Sequence, residues 1–188
     1  GSWGYLPTTQ TAGILDTASA VLALLAHVRE PLQLLDVSPE EIDLRIQRGV
    51  ASLKRQLAVW HDVEETNHIG VELIVPALLS MLEKELDVAP FEFPCRDILN
   101  KMHEEKVSHF DLEKVYGKPS SVLHSLEAFL GKLDFDRLSH HLYHGSMMAS
   151  PSSTAAYLIG ASKWDGEAEN YLRHVLENGA GHGDGGIS

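Results

Sequence analysis

The stretch His144-Gly-Ser-Met-Met-Ala-Ser-Pro-Ser-Ser-Thr-Ala-Ala-Tyr157 is the most informative part of the sequence, because most of its side chains are too small to fill a core. Pro151 cannot continue a helix but suits its first turn, and Ser150 can accept hydrogen bonds from the unpaired amides there. The stretch therefore predicts a capped helix start. The small residues from Ser152 onward form a helix face that another element can approach closely.

Hydrophobic periodicity along the rest of the chain predicts helices and no sheet. Ser38 and Glu41 predict a capping box at the second helix, and Asp134 and Asp165 are the predicted caps of two later ones. Pro76 is expected to kink the third helix. The predicted helices cover residues 11–28, 38–60, 71–86, 96–107, 121–130, 135–143, 152–161 and 166–177. Antiparallel helix pairs with short connections suit an all-α fold of the α/α-barrel type.

Size and charge narrow the possible functions. A chain of 188 residues with 44% hydrophobic residues is typical of one soluble globular domain. The formal net charge of -12 argues against nucleic acid and anionic membrane surfaces, which attract positive faces. Cys95 is the only cysteine, so no internal disulfide can form and a reducing, cytoplasmic location is expected.

The ends of the chain predict a piece of a larger protein. Gly1-Ser2 is typical of the residues left by tag removal, and residues 179–188 are glycine-rich like a flexible linker. Residues 3–178 are predicted to form a single helical domain. The apolar stretch 14–28 is expected to be too short to span a bilayer, and no basic segment precedes it as in a signal peptide.

Three motifs resemble, in order and spacing, those of class II diterpene cyclases, the enzymes that make copalyl diphosphate. They are Gly70-Val-Glu-Leu-Ile-Val-Pro-Ala-Leu-Leu79, Pro119-Ser-Ser-Val-Leu-His-Ser-Leu-Glu127 and Gly145-Ser-Met-Met-Ala-Ser-Pro-Ser-Ser-Thr-Ala155. The opening Trp3-Gly-Tyr-Leu-Pro and the Asn67-His-Ile-Gly variant resemble the fungal branch, which includes bifunctional copalyl diphosphate and kaurene-type synthases.

The resemblance implies the γ domain of such an enzyme, a helical module that forms one wall of a cavity shared with a β domain. There, geranylgeranyl diphosphate is cyclized by protonation from an Asp-x-Asp-Asp motif of the β domain. This chain has no two adjacent aspartates, so neither that motif nor the class I motif Asp-Asp-x-x-Asp is present. The chain alone is therefore expected to be inactive.

An acidic segment, Asp62-Val-Glu-Glu65, provides the candidate metal ligands Asp62, Glu64 and Glu65. Clustered carboxylates suit Mg²⁺, which prefers hard oxygen ligands and keeps waters that can bridge to phosphate. A solvated acidic turn is the plain alternative. The resemblance favours Mg²⁺, because many plant class II cyclases carry an acidic run just before the Gly-Phe-Glu motif. Here His61 replaces one acidic position of that run.

Lysines and small residues complete the predicted site. Class II cyclases often have a lysine near the position of Lys118 that meets the substrate diphosphate, and Lys132 is the second candidate. Ordinary surface lysines are the alternative. The predicted cavity wall, which would pack near the β domain or the ligand, consists of Ser150, Ser152, Ser153 and Thr154.

Three histidines, His140, His141 and His144, invite comparison with a zinc site, but a closed site needs four ligands. A helix end at Gly145 makes helix capping by histidine the preferred interpretation. Two functional alternatives stay open: a non-catalytic helical interaction module and a helical hydrolase that uses a buried histidine–carboxylate pair. Loss of the β domain would expose an apolar patch and favour self-association.

Overall fold

The computed structural model of the chain describes residues 10–29, 36–63 and 70–178. The predictions for residues 1–2 and 179–188 concern positions outside these ranges, as does the Asn67-His-Ile-Gly variant apart from its glycine. The chain divides into two compact units, Gly1–Val107 and Ser108–Ser188. Helices dominate the described part of both units, so the all-α prediction is confirmed. The prediction of one domain over residues 3–178 stays a prediction.

Four helices form the described part of the first unit, and the last ends one residue beyond it. They are α1 (Gln10–Arg29), α2 (Pro39–Ala58), α3 (Val71–Leu86) and α4 (Arg96–Ser108). α1 packs against both α2 and α3. The most deeply buried side chains of the core are Ile14, Ala18, Val21, Leu53, Leu57, Trp60, Val75, Leu79, Leu82, Cys95 and Leu99. All four predicted helices are therefore present, with bounds that differ by no more than two residues.

Local chemistry explains where α2 begins. Ser38 has an extended backbone, and its hydroxyl accepts a hydrogen bond from the amide of Glu41 at 3.2 Å. Pro39 occupies the first turn, where its missing amide costs nothing. The Glu41 carboxylate accepts a hydrogen bond from Arg45 one turn later at 3.0 Å. The predicted cap by Ser38 is confirmed.

The length prediction for the first apolar stretch is wrong. α1 has 20 residues, and Thr11–Arg29 has a mean hydropathy of 1.5, so length and composition alone would let it cross a membrane. Ile14, Ala18 and Val21 are instead fully buried within this unit, where α1 packs against α2 and α3. About 33% of this helix is buried in this way, and its other described side chains are partly or fully exposed.

The second unit is built from shorter elements. Up to residue 178 it contains one short α-helix, three 3₁₀ helices, two short strands and two longer α-helices. In chain order these are α5 (Leu112–Val115), η1 (Ser121–His124), η2 (Leu126–Phe129), η3 (Phe135–His141), β1 (Leu142–Tyr143), β2 (Ser146–Met147), α6 (Pro151–Gly160) and α7 (Gly166–Asn178). The α-helices predicted at 121–130 and 135–143 are therefore 3₁₀ helices. The predictions of α6 and α7 are confirmed.

A β-hairpin contradicts the prediction that the chain has no sheet. β1 and β2 pair in antiparallel register, with Leu142 opposite Met147 and Tyr143 opposite Ser146. The two residues between the strands, His144 and Gly145, have φ angles of 48° and 73°. Two-residue turns with positive φ at both positions match the twist of antiparallel strands. Gly145 therefore forms a hairpin turn, and the prediction that it ends a helix is wrong.

Candidate functional site

Two of the three motifs meet at the first turn of α6. The hydroxyl of Ser153 accepts a hydrogen bond from the amide of Leu126 at 3.4 Å and donates one to Glu127 Oε2 at 3.5 Å. Leu126 and Glu127 end the motif that starts at Pro119, and Ser153 belongs to the motif that starts at Gly145. The sequence placed these motifs 18 residues apart, and the fold joins them through one serine side chain.

Serine and threonine hydroxyls hold this first turn in place. Ser150 Oγ accepts from the amide of Ser153 at 3.3 Å and lies 3.2 Å from Ser152 Oγ. Thr154 Oγ1 donates to the carbonyl of Ser150 at 2.7 Å and accepts from the amide of Met147 at 3.0 Å. The predicted cap by Ser150 is confirmed. The Thr154 hydroxyl also ties the helix to strand β2.

The link between β2 and α6 has an uncommon backbone. Met148 and Ala149 have φ angles of 54° and 57°, a region that costs non-glycine residues about 1–3 kcal/mol each. The amide of Ala149 donates to Ser146 Oγ at 2.7 Å, and the amide of Ser150 donates to the carbonyl of Met147 at 3.0 Å. These bonds stabilise a sharp turn that brings the hairpin directly onto α6.

The four residues of the predicted cavity wall fall into two classes. Ser153 and Thr154 are completely buried within the second unit, where η2 and β2 cover them. Ser152 is exposed and Ser150 is half-buried. The small side chains therefore do allow a close approach, and the elements that approach Ser153 and Thr154 belong to the same unit. A role of Ser150 and Ser152 in a cavity wall stays a prediction.

Glu127 is the polar residue of this junction that sequence reasoning missed as a functional candidate. Burial raises the pKa of its carboxyl group, and hydrogen bonds from its own backbone, Ser152 and Ser153 oppose that shift. Folding thus favours the protonated form relative to the unfolded chain, so this group leaves the fold most stable below the ordinary glutamate pKa, and that stability is lost as the pH rises through the raised pKa. No cation among the described residues forms an ion pair with this carboxylate.

The two candidate diphosphate lysines lie in the same unit. Lys118 follows α5, and its amide donates to the carbonyl of Lys114 at 3.2 Å. Lys132 follows η2, and its amide donates to the carbonyl of Phe129 at 2.9 Å. Both lysines are exposed, and neither ammonium group is held in an ion pair with another described residue. Each is therefore accessible to an anionic ligand.

The candidate magnesium ligands are only partly described. Asp62 is exposed, and its backbone carbonyl accepts a hydrogen bond from Trp60 Nε1 at 2.9 Å. Glu64 and Glu65 lie outside the described residues. Within the ranges that are described, no three His, Cys, Asp or Glu side chains group as metal ligands would. Magnesium binding by this segment stays a prediction.

The third motif, which starts at Gly70, explains how a proline is tolerated within α3. Pro76 lacks the amide that would bond to the carbonyl of Glu72 one turn earlier. His103 Nδ1 lies 3.0 Å from that carbonyl oxygen, and because a carbonyl only accepts, this nitrogen carries the proton. Lys106 binds the Glu72 carboxylate at 3.0 Å. The motif is thereby fastened to α4, which the sequence did not predict.

The histidines near the hairpin do not lie on one face of an α-helix. His141 Nε2 donates to the carbonyl of Val115 at 2.7 Å, and the rings of His140 and His141 are 3.9 Å apart. His144 lies in the hairpin turn, so the prediction that it caps a helix is wrong. His103 and His141 each make a hydrogen bond to a backbone carbonyl oxygen, and use of a histidine–carboxylate pair by a hydrolase stays a prediction.

The chain is similar over its whole length to several fungal enzymes. It is 84% identical over 188 residues to the bifunctional ent-kaurene synthase of Gibberella fujikuroi and 58% identical to the ent-kaur-16-ene synthase of Phaeosphaeria sp.. It is 42% identical over 189 residues to the copalyl diphosphate synthase of Talaromyces verruculosus. The chain spans about 20% of the length of the first two relatives and 19% of the third. No family model matches the chain.

Proposed function

This chain is related over its whole length to fungal diterpene cyclases, and from that premise we propose that it forms the γ domain of a class II enzyme. The complete polypeptide would cyclize geranylgeranyl diphosphate to a copalyl diphosphate by protonation, with the acid motif in a β domain outside this segment. The similarity of the entire chain to a copalyl diphosphate synthase is the observation that carries this proposal.

The segment would contribute one wall of the cavity between the β and γ domains. A wall of this kind excludes water, which would otherwise capture a carbocation. The hydroxyl-bonded turn at the start of α6 supports this role, because it presents Ser150 and Ser152 on a rigid helix end. Rigid placement matters, since a cavity that guides ring closure must keep its shape while charge develops.

The segment would also help to hold the diphosphate. Asp62, Glu64 and Glu65 would bind Mg²⁺, which supplies positive charge that neutralises the phosphate oxygens when bound. Lys118 or Lys132 would add an ammonium group directly, and both are accessible to an anion. Such local cations are needed because the chain has a net charge of -12 and repels a free diphosphate at long range.

Calorimetric titration with inorganic pyrophosphate, with and without Mg²⁺, tests the binding part of the proposal on the 188-residue chain. We expect Mg²⁺-dependent binding that falls at least tenfold when Asp62→Asn and Glu65→Gln are combined. Asp97→Asn, an exposed acid on α4, is the matched control and should bind normally. Binding that is unchanged in the double variant would show that these carboxylates are only a solvated turn.

The activity part is tested with geranylgeranyl diphosphate. The complete polypeptide should form copalyl diphosphate, and the 188-residue chain alone should form none, because it lacks the acid motif. Formation of copalyl diphosphate by the isolated chain would contradict the proposal that the acid motif lies in the β domain.

One observation favours a second candidate, a non-catalytic helical interaction module. Ser153 and Thr154 are completely buried against their own unit, so part of the motif that starts at Gly145 is explained by packing alone. A module of this kind predicts no Mg²⁺-dependent pyrophosphate binding. It also predicts that a complete polypeptide with Asp62→Asn and Glu65→Gln cyclizes its substrate normally.

A further inference from the structure

Glu127 lies at a position where ionisation of a carboxyl group carries a desolvation cost. Its carboxyl group is half-buried between η2 and the first turn of α6, and burial raises its pKa. The groups that stabilise its charge are hydroxyls and backbone, namely Ser152, Ser153 and its own amide. Other carboxylates with little exposure, such as Glu83 and Glu72, are matched by cations, Arg96 at 2.6 Å and Lys106 at 3.0 Å.

Local packing alone does not explain a glutamate here. A glutamine has the same length and could accept the Ser153 hydroxyl through its side-chain oxygen without the cost of desolvating a charge. In the isolated chain the carboxylate is therefore a net cost at neutral pH. Local costs of this type are expected where a residue serves an interaction outside its own fold.

We propose that Glu127 is the docking point for a lysine or arginine side chain that the remainder of the polypeptide supplies. This inference rests on the proposed function, in which the segment packs against another domain of the same protein. An incoming cation would find the carboxylate beside the exposed Ser152 hydroxyl. A charge-assisted hydrogen bond there is stronger than one between neutral groups.

The acidic charge balance of the chain and the greater length of its relatives favour a basic side chain as the occupant. The chain contains 27 acidic and 15 basic residues, so its own cations are scarce. Its relatives are about five times as long, since it spans 20% of their length. A magnesium ion is the weaker candidate, because within residues 10–29, 36–63 and 70–178 no group of three metal-ligating side chains exists.

The proposal predicts that Glu127→Gln stabilises the 188-residue chain but destabilises the first turn of α6 in the complete polypeptide. In the 188-residue chain the variant removes a charge without a counterion, so its melting temperature should rise by about 2–4 °C. In the complete polypeptide the same variant leaves the docked cation unpaired. Amide hydrogen exchange in the first turn of α6 should then become at least tenfold faster than in the wild type.

Two further variants make the outcome decisive. Glu113→Gln, on an exposed glutamate of the same unit, is the control and should change neither measurement. Glu127→Asp keeps the charge and should preserve more of the exchange protection in the complete polypeptide than Glu127→Gln does. This readout does not depend on catalysis, so failure of cyclization and failure of docking are separate results.

Three results would overturn the proposal. A loss of stability on Glu127→Gln in both forms would mean that the carboxylate only supports local structure. A gain in both forms would mean that no cation reaches it. If added Mg²⁺ alone reproduces the protection of α6 in the 188-residue chain, the occupant is the metal and the basic side chain is excluded.

Discussion

At the scale of single residues, the fold depends on positions whose constraints are steric. Gly145 combines a φ of 73° with contact against the first residues of α7, where an added Cβ would collide with the carbonyl group of Glu167. The sequence marked this glycine as special, but it could not reveal the contact partner 22 residues away. A positive φ at this glycine was predictable from the sequence, but the hairpin turn that requires it was not.

The prediction at this scale concerns two glycines. Gly145→Ala should lower the free energy of unfolding by about 2 kcal/mol or more, through backbone strain and through displacement of α7. Gly166→Ala is the matched control, because no atom lies within 4 Å of its added Cβ and its φ is ordinary. Urea unfolding of both variants measures the difference. Equal changes in the free energy of unfolding of both variants would mean that the contact between Gly145 and α7 can relax at little cost.

At the scale of elements, predictability follows the hydrogen-bond pattern. The long helices of the first unit repeat their apolar residues with the α-helical period, and their bounds were predicted closely. Residues 121–143 form 3₁₀ helices and a strand, and such short elements carry too few residues for a period to show. The hairpin was missed because His144-Gly145 lacks the usual Asn-Gly or Asp-Gly signal.

The prediction at this scale tests how α3 tolerates Pro76. In the wild type, His103→Ala should leave the Glu72 carbonyl without its donor and cost about 1 kcal/mol. In a Pro76→Ala background the new amide can bond to that carbonyl, so His103→Ala should cost clearly less. A double-mutant cycle of unfolding free energies measures the coupling. Additive effects would show that His103 contributes through packing alone.

At the scale of the whole molecule, apolar side chains are exposed in both units. Val59 and Ile98 are more than half exposed in the first unit, as are Ile159 and Trp164 in the second. Exposed apolar groups favour association when they form contiguous patches.

The candidate site was less predictable than the fold, because its key contacts, from Ser153 to Leu126 and Glu127, link segments that sequence alone could not pair.

The prediction at this scale is that the 188-residue chain self-associates. Sedimentation velocity over a wide concentration range should show a rising average mass, and Ile159→Ser combined with Trp164→Ser should reduce it. Lys163→Ser, at an exposed charged residue between these positions, is the control. A single mass, that of the monomer, at all concentrations would contradict this prediction.

The one sulfhydryl group of the chain has a practical consequence. Cys95 is buried in the first unit, donates a hydrogen bond to the carbonyl of Trp60 at 3.3 Å, and has a pKa raised by burial. A neutral, inaccessible thiol reacts with alkylating reagents only after its surroundings open. The second unit carries no cysteine. Pulse alkylation therefore measures the opening of the first unit's core around Cys95 without an engineered label.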